Sequence, residues 1–125
     1  MDEILNRLKE IKIENYIWII YLGIIFLSYY SNNLEKDYLV NNNYISKDKY
    51  RYIMIIIFSI LVIIYLYFLL DSYQSIKNID LNNISDKDLL YILSFVGSLL
   101  IFISGLIFLY ISIKDKDINV ELAFN

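Results

Sequence analysis

Any chemistry in this chain of 125 residues has to come from fourteen acids, eleven bases, thirteen tyrosines and scattered hydroxyls, because it has no histidine and no cysteine. Without imidazole or thiolate, the usual zinc ligands, histidine acid/base catalysis, cysteine nucleophiles and disulfides all drop out. Asp71, Asp86 and Asp88 lie near tyrosines and are of a type that can handle lipid headgroups, but nothing in their spacing fixes a mutual geometry. Every acid and base lies outside three apolar runs, so no intramembrane charge marks an ion or proton pathway. The chain contains no dinucleotide fingerprint, P-loop, serine elbow or metal-ligand motif, and no cofactor, metal or small-molecule substrate is expected. Asn83-Ile84-Ser85 fits the N-glycosylation acceptor pattern, a three-residue match of low specificity. A net charge of −3 and a pI near 4.8, with no basic stripe, argue against a nucleic-acid partner. The chain therefore reads as non-enzymatic.

The remaining polar and small residues fit packing better than reaction. Gly97 and Gly105 stand two turns apart within an uncharged stretch, flanked by Ser94, Ser98 and Ser104, and Gly23 sits at the middle of another apolar run. In lipid, helices gain nothing hydrophobic by touching, and such small-residue faces let backbones approach. These six residues are the expected helix-packing site. Ser28 and Ser59 lie in the same kind of surroundings, where hydroxyls more often bond to the preceding turn or a neighbouring helix than line a pore.

The elements that position these residues follow from length and hydropathy. With 58% hydrophobic residues and a mean hydropathy of +0.52, the chain is too apolar for an ordinary soluble fold. The expected fold is an all-α membrane protein of one integral domain, with three antiparallel transmembrane helices, an amphipathic N-terminal helix and a short, extended C-terminal tail. Residues 1–15 form the amphipathic helix, with Ile4, Leu5, Leu8 and Ile11 at helical spacing. The spans are residues 16–31, 52–70 and 89–113, joined by polar loops 32–51 and 71–88 and followed by the tail 114–125. The first run is short for a span, so its aromatic ends matter. Tyr16, Trp18, Tyr30, Tyr52, Tyr67, Tyr91 and Tyr110 stand where amphipathic rings prefer the headgroup layer, and are the expected interfacial anchors. Ser46 is placed as the N-cap of the second span, and Ser85 with Asp88 as a capping box for the third. In the tail, Ile118, Val120, Leu122 and Phe124 alternate with Asn119, Glu121, Ala123 and Asn125; this strand period suits a terminus whose apolar residues rest on the bilayer surface, with an extended segment docking on a partner as the alternative.

Residues 45–54 and 84–93 match when shifted by 39, but Ser caps, interfacial Tyr and Ile/Leu runs are imposed on any such helix, so no duplication is needed. Basic residues beside the spans differ by one between the two sides. Lys47, Lys49 and Arg51 abut the second span and Lys114 and Lys116 the third, which favours a cytoplasmic C-terminus and an outside N-terminus in a bacterial cytoplasmic membrane. The expected role is an accessory or scaffold subunit, packing against itself or a larger membrane protein, with the bilayer as its other partner. A short chain with three spans also resembles the plan of class I phage holins, although it lacks their strongly basic tail. That resemblance implies a self-assembling pore as the alternative.

Overall fold

The computed structural model describes residues 1–114. Among them are three α-helices and no strand: α1 (Asp2–Asn41), α2 (Tyr44–Ile76) and α3 (Asp86–Lys114). All three are long and apolar enough to cross a membrane. The tail positions Ile118, Val120, Leu122 and Phe124 lie outside the described residues. The chain divides into two compact units, Met1–Ile57 and Phe58–Asn125, and α2 passes from one into the other.

In the first unit, α1 is one unbroken helix of forty residues, roughly 60 Å long, where the sequence suggests an amphipathic helix, a span and then a loop. The 32–51 loop is corrected: only Asn42 and Asn43 lie outside helix. Residues 32–41 are polar, but polarity is not a helix breaker. The segment holds neither Gly nor Pro, and Leu34, Glu35, Lys36 and Leu39 are good helix formers. The helix stops where Asn42 turns left-handed, at φ 53° and ψ 37°. Asn tolerates that conformation better than other residues with a side chain, so the run Asn41-Asn42-Asn43 supplies the break that composition alone does not locate.

Similarly, the expected 71–88 loop shrinks, since α2 continues to Ile76 and α3 begins at Asp86. The turns between them are held by main-chain bonds from Lys77 to Tyr73, Ile79 to Ile76 and Asn83 to Asp80. Asp80 also accepts from the Asn82 N–H at 2.9 Å, a local turn of the kind Asp favours.

Burial follows helical periodicity on each helix. On α1 the buried residues are Ile17, Ile24 and Ser31, each seven apart and so on one face. α2 carries most of the buried apolar side chains, Met54, Ile57, Phe58, Leu61 and Ile64, spaced three and four apart. α3 buries only Gly105 and Ser112, again seven apart.

Candidate packing site and helix junction

In the first unit, the junction between α1 and α2 is organised by a carboxylate. Asp37, one turn before the end of α1, accepts hydrogen bonds from Asn41 Nδ2 at 2.7 Å, Asn43 Nδ2 at 2.8 Å and Ser46 Oγ at 2.6 Å. Three donors stabilise the charged form, and they hold the Asp37 carboxyl below its usual range, the Ser46 hydroxyl contributing most. Asn43 turns its other end to α2, where its Oδ1 accepts from the N–H groups of Ile45 (3.1 Å) and Ser46 (3.4 Å). Asn43 is therefore the N-cap of α2. This corrects the placement of Ser46: its hydroxyl lies one turn inside the helix and is taken by Asp37, a partner nine residues earlier. The Tyr38 ring packs against Tyr44, with centroids 5.7 Å apart, and the Lys47 ammonium lies 5.2 Å from the Tyr38 centroid. The junction thus has an ionic centre and an aromatic flank. A shallow recess of about 200 Å³ lies beside it, lined by Asn33, Lys36, Asp37, Val40 and Asn41.

Elsewhere in this unit, Arg7 Nη1 reaches Glu10 Oε2 at 3.2 Å and Glu14 Oε1 at 3.1 Å. Hydrogen bonding to Glu14, then to Glu10, raises the Arg7 guanidinium further above its already high range. Ser28 and Ser31 have buried hydroxyls with no hydrogen-bond partner, and Ser31 is fully enclosed. Gly23 is exposed, and a methyl group added there would meet nothing within 4 Å.

In the second unit, α2 and α3 meet through a series of pairs. Phe58 stacks with Phe108 (centroids 5.7 Å), Gly105 lies against Val62 and Tyr65, the Ser72 and Ser98 hydroxyls share a hydrogen bond of 3.0 Å, and Tyr73 packs on Phe95 (6.1 Å). The positions rise along α2 as they fall along α3. At Gly105 a Cβ would sit 3.0 Å from Tyr65 Cδ2 and 3.3 Å from Val62 Cγ2, so glycine is what lets this ring approach the backbone. The two α3 glycines part here. Gly97 is half-buried, yet a Cβ there would meet nothing within 4 Å, because Gly105 and Gly97, eight residues apart, differ by about 80° around the helix.

Of the six residues expected at the packing site, the structure brings Ser98 and Gly105 against α2, while a Cβ at Gly23 or Gly97 would meet nothing within 4 Å and Ser94 and Ser104 are exposed. Val62, Tyr65 and Ser72, which sequence reasoning missed, complete the contact. Ser72 is the only one with a prior signal, as a polar residue just past the second apolar run. Ser112 donates to the Phe108 carbonyl at 2.9 Å, the bond back to the preceding turn that such hydroxyls commonly make.

At the start of α3, the Asp88 N–H donates to Ser85 Oγ at 3.1 Å and the Ser85 N–H donates to Asp88 Oδ2 at 3.2 Å. This is the reciprocal capping box expected from their spacing. Ser46 and Ser85, equivalent in the shifted alignment, therefore play different parts, and the likeness of the two segments does not extend to how their helices begin. Tyr16, Trp18, Tyr30, Tyr52, Tyr91 and Tyr110 are exposed, whereas Tyr67 is half-buried with its ring edge-on to Phe68 at 5.4 Å. The Lys87 ammonium lies 5.7 Å from the Tyr91 centroid. Among the described residues no group of three acidic, histidine or cysteine side chains is placed to hold a metal ion. Compared with family models, curated proteins and solved structures, the chain finds no match in any of the three.

Proposed function

We propose that this chain is a multi-pass membrane protein with three antiparallel spans, acting without catalysis as an accessory or scaffold subunit for a second copy or a larger membrane protein. The observation that carries this reading is how little of its apolar surface is covered. Of the most apolar stretch in each helix, 11% is buried in α1, 28% in α2 and 6% in α3. Side chains this apolar would be driven out of water unless lipid or protein covers them, and a bilayer covers all three helices at once. The subunit role rests on the absence of charge within the apolar runs and on the small residues left open at Gly23 and Gly97, where another helix has room to approach. The proposed home is a bacterial cytoplasmic membrane, with the α1–α2 junction on the cytoplasmic side.

Ser94 and Ser104 are exposed on α3, which supports the alternative of a pore assembled from several copies with hydroxyls turned to water. Expression in a bacterial host separates the two. A subunit remains in membranes after carbonate washing, without arresting growth, and co-purifies with a defined membrane protein or with itself. Growth arrest with entry of an impermeant dye would favour the pore.

A further inference from the structure

We propose that the apolar face of the first turns of α1, formed by Ile4, Leu5, Leu8 and Ile11, is a lipid-contacting surface continuous with the face that Leu22 and Phe26 present, a surface that presupposes the spanning arrangement proposed above. All six side chains are exposed. At 100° per residue, Ile4, Leu8, Ile11, Asn15, Leu22, Phe26 and Tyr29 fall within about 40° of one line along α1, and Leu5 lies roughly 90° to one side of it. Ile17, Ile24 and Ser31, the buried residues of α1, lie on the opposite side. The stripe has one polar member, Asn15.

Helix continuity decides how this face meets its surroundings. The chain has no proline, and no residue before Asn42 has positive φ, so nothing in α1 bends residues 2–15 flat onto a membrane while the rest crosses. The stripe from Ile4 to Tyr29 is then roughly 38 Å long, more than a hydrocarbon core of about 30 Å but within the 40–45 Å of a bilayer with its headgroups. A tilt of about 20° brings its length along the membrane normal to roughly 35 Å. Ile11 would sit at the edge of the hydrocarbon, and Leu8, Leu5 and Ile4 progressively further out among the headgroups.

The charges permit this placement. Glu10 and Glu14 both pair with Arg7 and lie off the stripe, while Lys9 and Lys12 have stems long enough to carry their ammonium groups outward. Lipid is favoured over a protein partner because the stripe, interrupted only at Asn15 and flanked beyond it by the exposed Trp18 and Ile19, continues into the face of the span itself. The short first apolar run of the sequence is thereby lengthened at its N-terminal end, on one face only.

Because the chain lacks cysteine, single nitroxide labels can be placed at Ile4, Leu8, Ile11, Leu22 and Phe26, with Asn6 as the off-stripe reference, in vesicles of phosphatidylcholine and phosphatidylglycerol. Collision rates with oxygen, which concentrates in lipid, and with a neutral nickel chelate, which stays in water, report the surroundings of each label. The expected result is an oxygen-to-nickel ratio that rises from residue 4 through 8 and 11 towards the values at 22 and 26, and is lower at 6 than at 4 or 8. Nickel-dominated collisions at 4, 8 and 11 would make the segment a solvated extension and overturn the proposal. Low collision rates with both reagents at those positions would show a protein covering the stripe and overturn it equally. In both cases oxygen-dominated values at 22 and 26 would leave the spanning arrangement standing, whereas nickel access at 22 and 26 would remove that arrangement and the proposal with it.

Discussion

Gly105 and Gly97 are the same residue in the same helix, and what separates them is what a side chain would meet. A Cβ at Gly105 lies 3.0 Å from the Tyr65 ring, so a branched side chain there has to push α2 away or force the tyrosine from its rotamer. Gly105→Ile is expected to cost about 1–3 kcal/mol, in the range of overpacked cores, while Gly97→Ile stays within about 0.5 kcal/mol. Steric-trapping or thermal measurements in detergent read this directly. Equal losses at both positions would mean that Gly97 also bears a contact. Ser31 presents the reverse situation, a fully enclosed hydroxyl with no partner. A buried polar group without its hydrogen bond contributes nothing and costs desolvation, so Ser31→Ala is expected to leave stability unchanged or raise it by up to about 1 kcal/mol. A clear loss would show that the hydroxyl is bonded after all.

At the scale of elements, the ends of helices carry the specificity. Removing the caps by Asn43→Ala and Ser85→Ala is expected to cost about 1 kcal/mol each, because each leaves free N–H groups in a first turn without an acceptor. The Asn43 loss should be the larger of the two, since its Nδ2 also supports Asp37. Asp37 makes the junction sensitive to acid. Its folded carboxyl titrates below the unfolded value of 3.8, so its stabilising contribution is complete above that value and is lost as pH falls through the lower folded one. Hydrogen exchange at the Ile45 and Ser46 amides should therefore remain slow down to about pH 4 and quicken below it. Asp37→Asn should flatten that dependence. What could be read in the sequence divides along the same line. The three apolar runs and the Ser85/Asp88 box are local patterns; each run lies inside one helix, though the helices extend beyond it, and the box caps the third. Ser98 and Gly105 were identifiable as packing residues, but not their partners Ser72 and Tyr65, because hydropathy does not say which face of α2 lies opposite. The continuation of α1 through residues 32–41 was hidden by polar composition. The Asn43 cap was hidden because Ser46, the better local candidate, is claimed by a carboxylate that only the turn at Asn42 brings within reach.

At the scale of the molecule, three helices long and apolar enough to cross a membrane, with so little of their surface buried, suggest that another medium covers them. Three spans would place the α1–α2 junction and the α2–α3 turn on opposite sides of that medium. Single cysteines at Asp48 and Asn83, both exposed, report the two sides without disturbing the left-handed Asn42. The decisive measurement is labelling of these two variants with an impermeant thiol reagent, in intact cells and after permeabilisation. The proposed arrangement predicts that Asn83→Cys labels in intact cells and Asp48→Cys only once the membrane is opened. The reverse pattern would keep the spans and invert the orientation. Labelling of both positions on the same side of the membrane would contradict the three-span account itself.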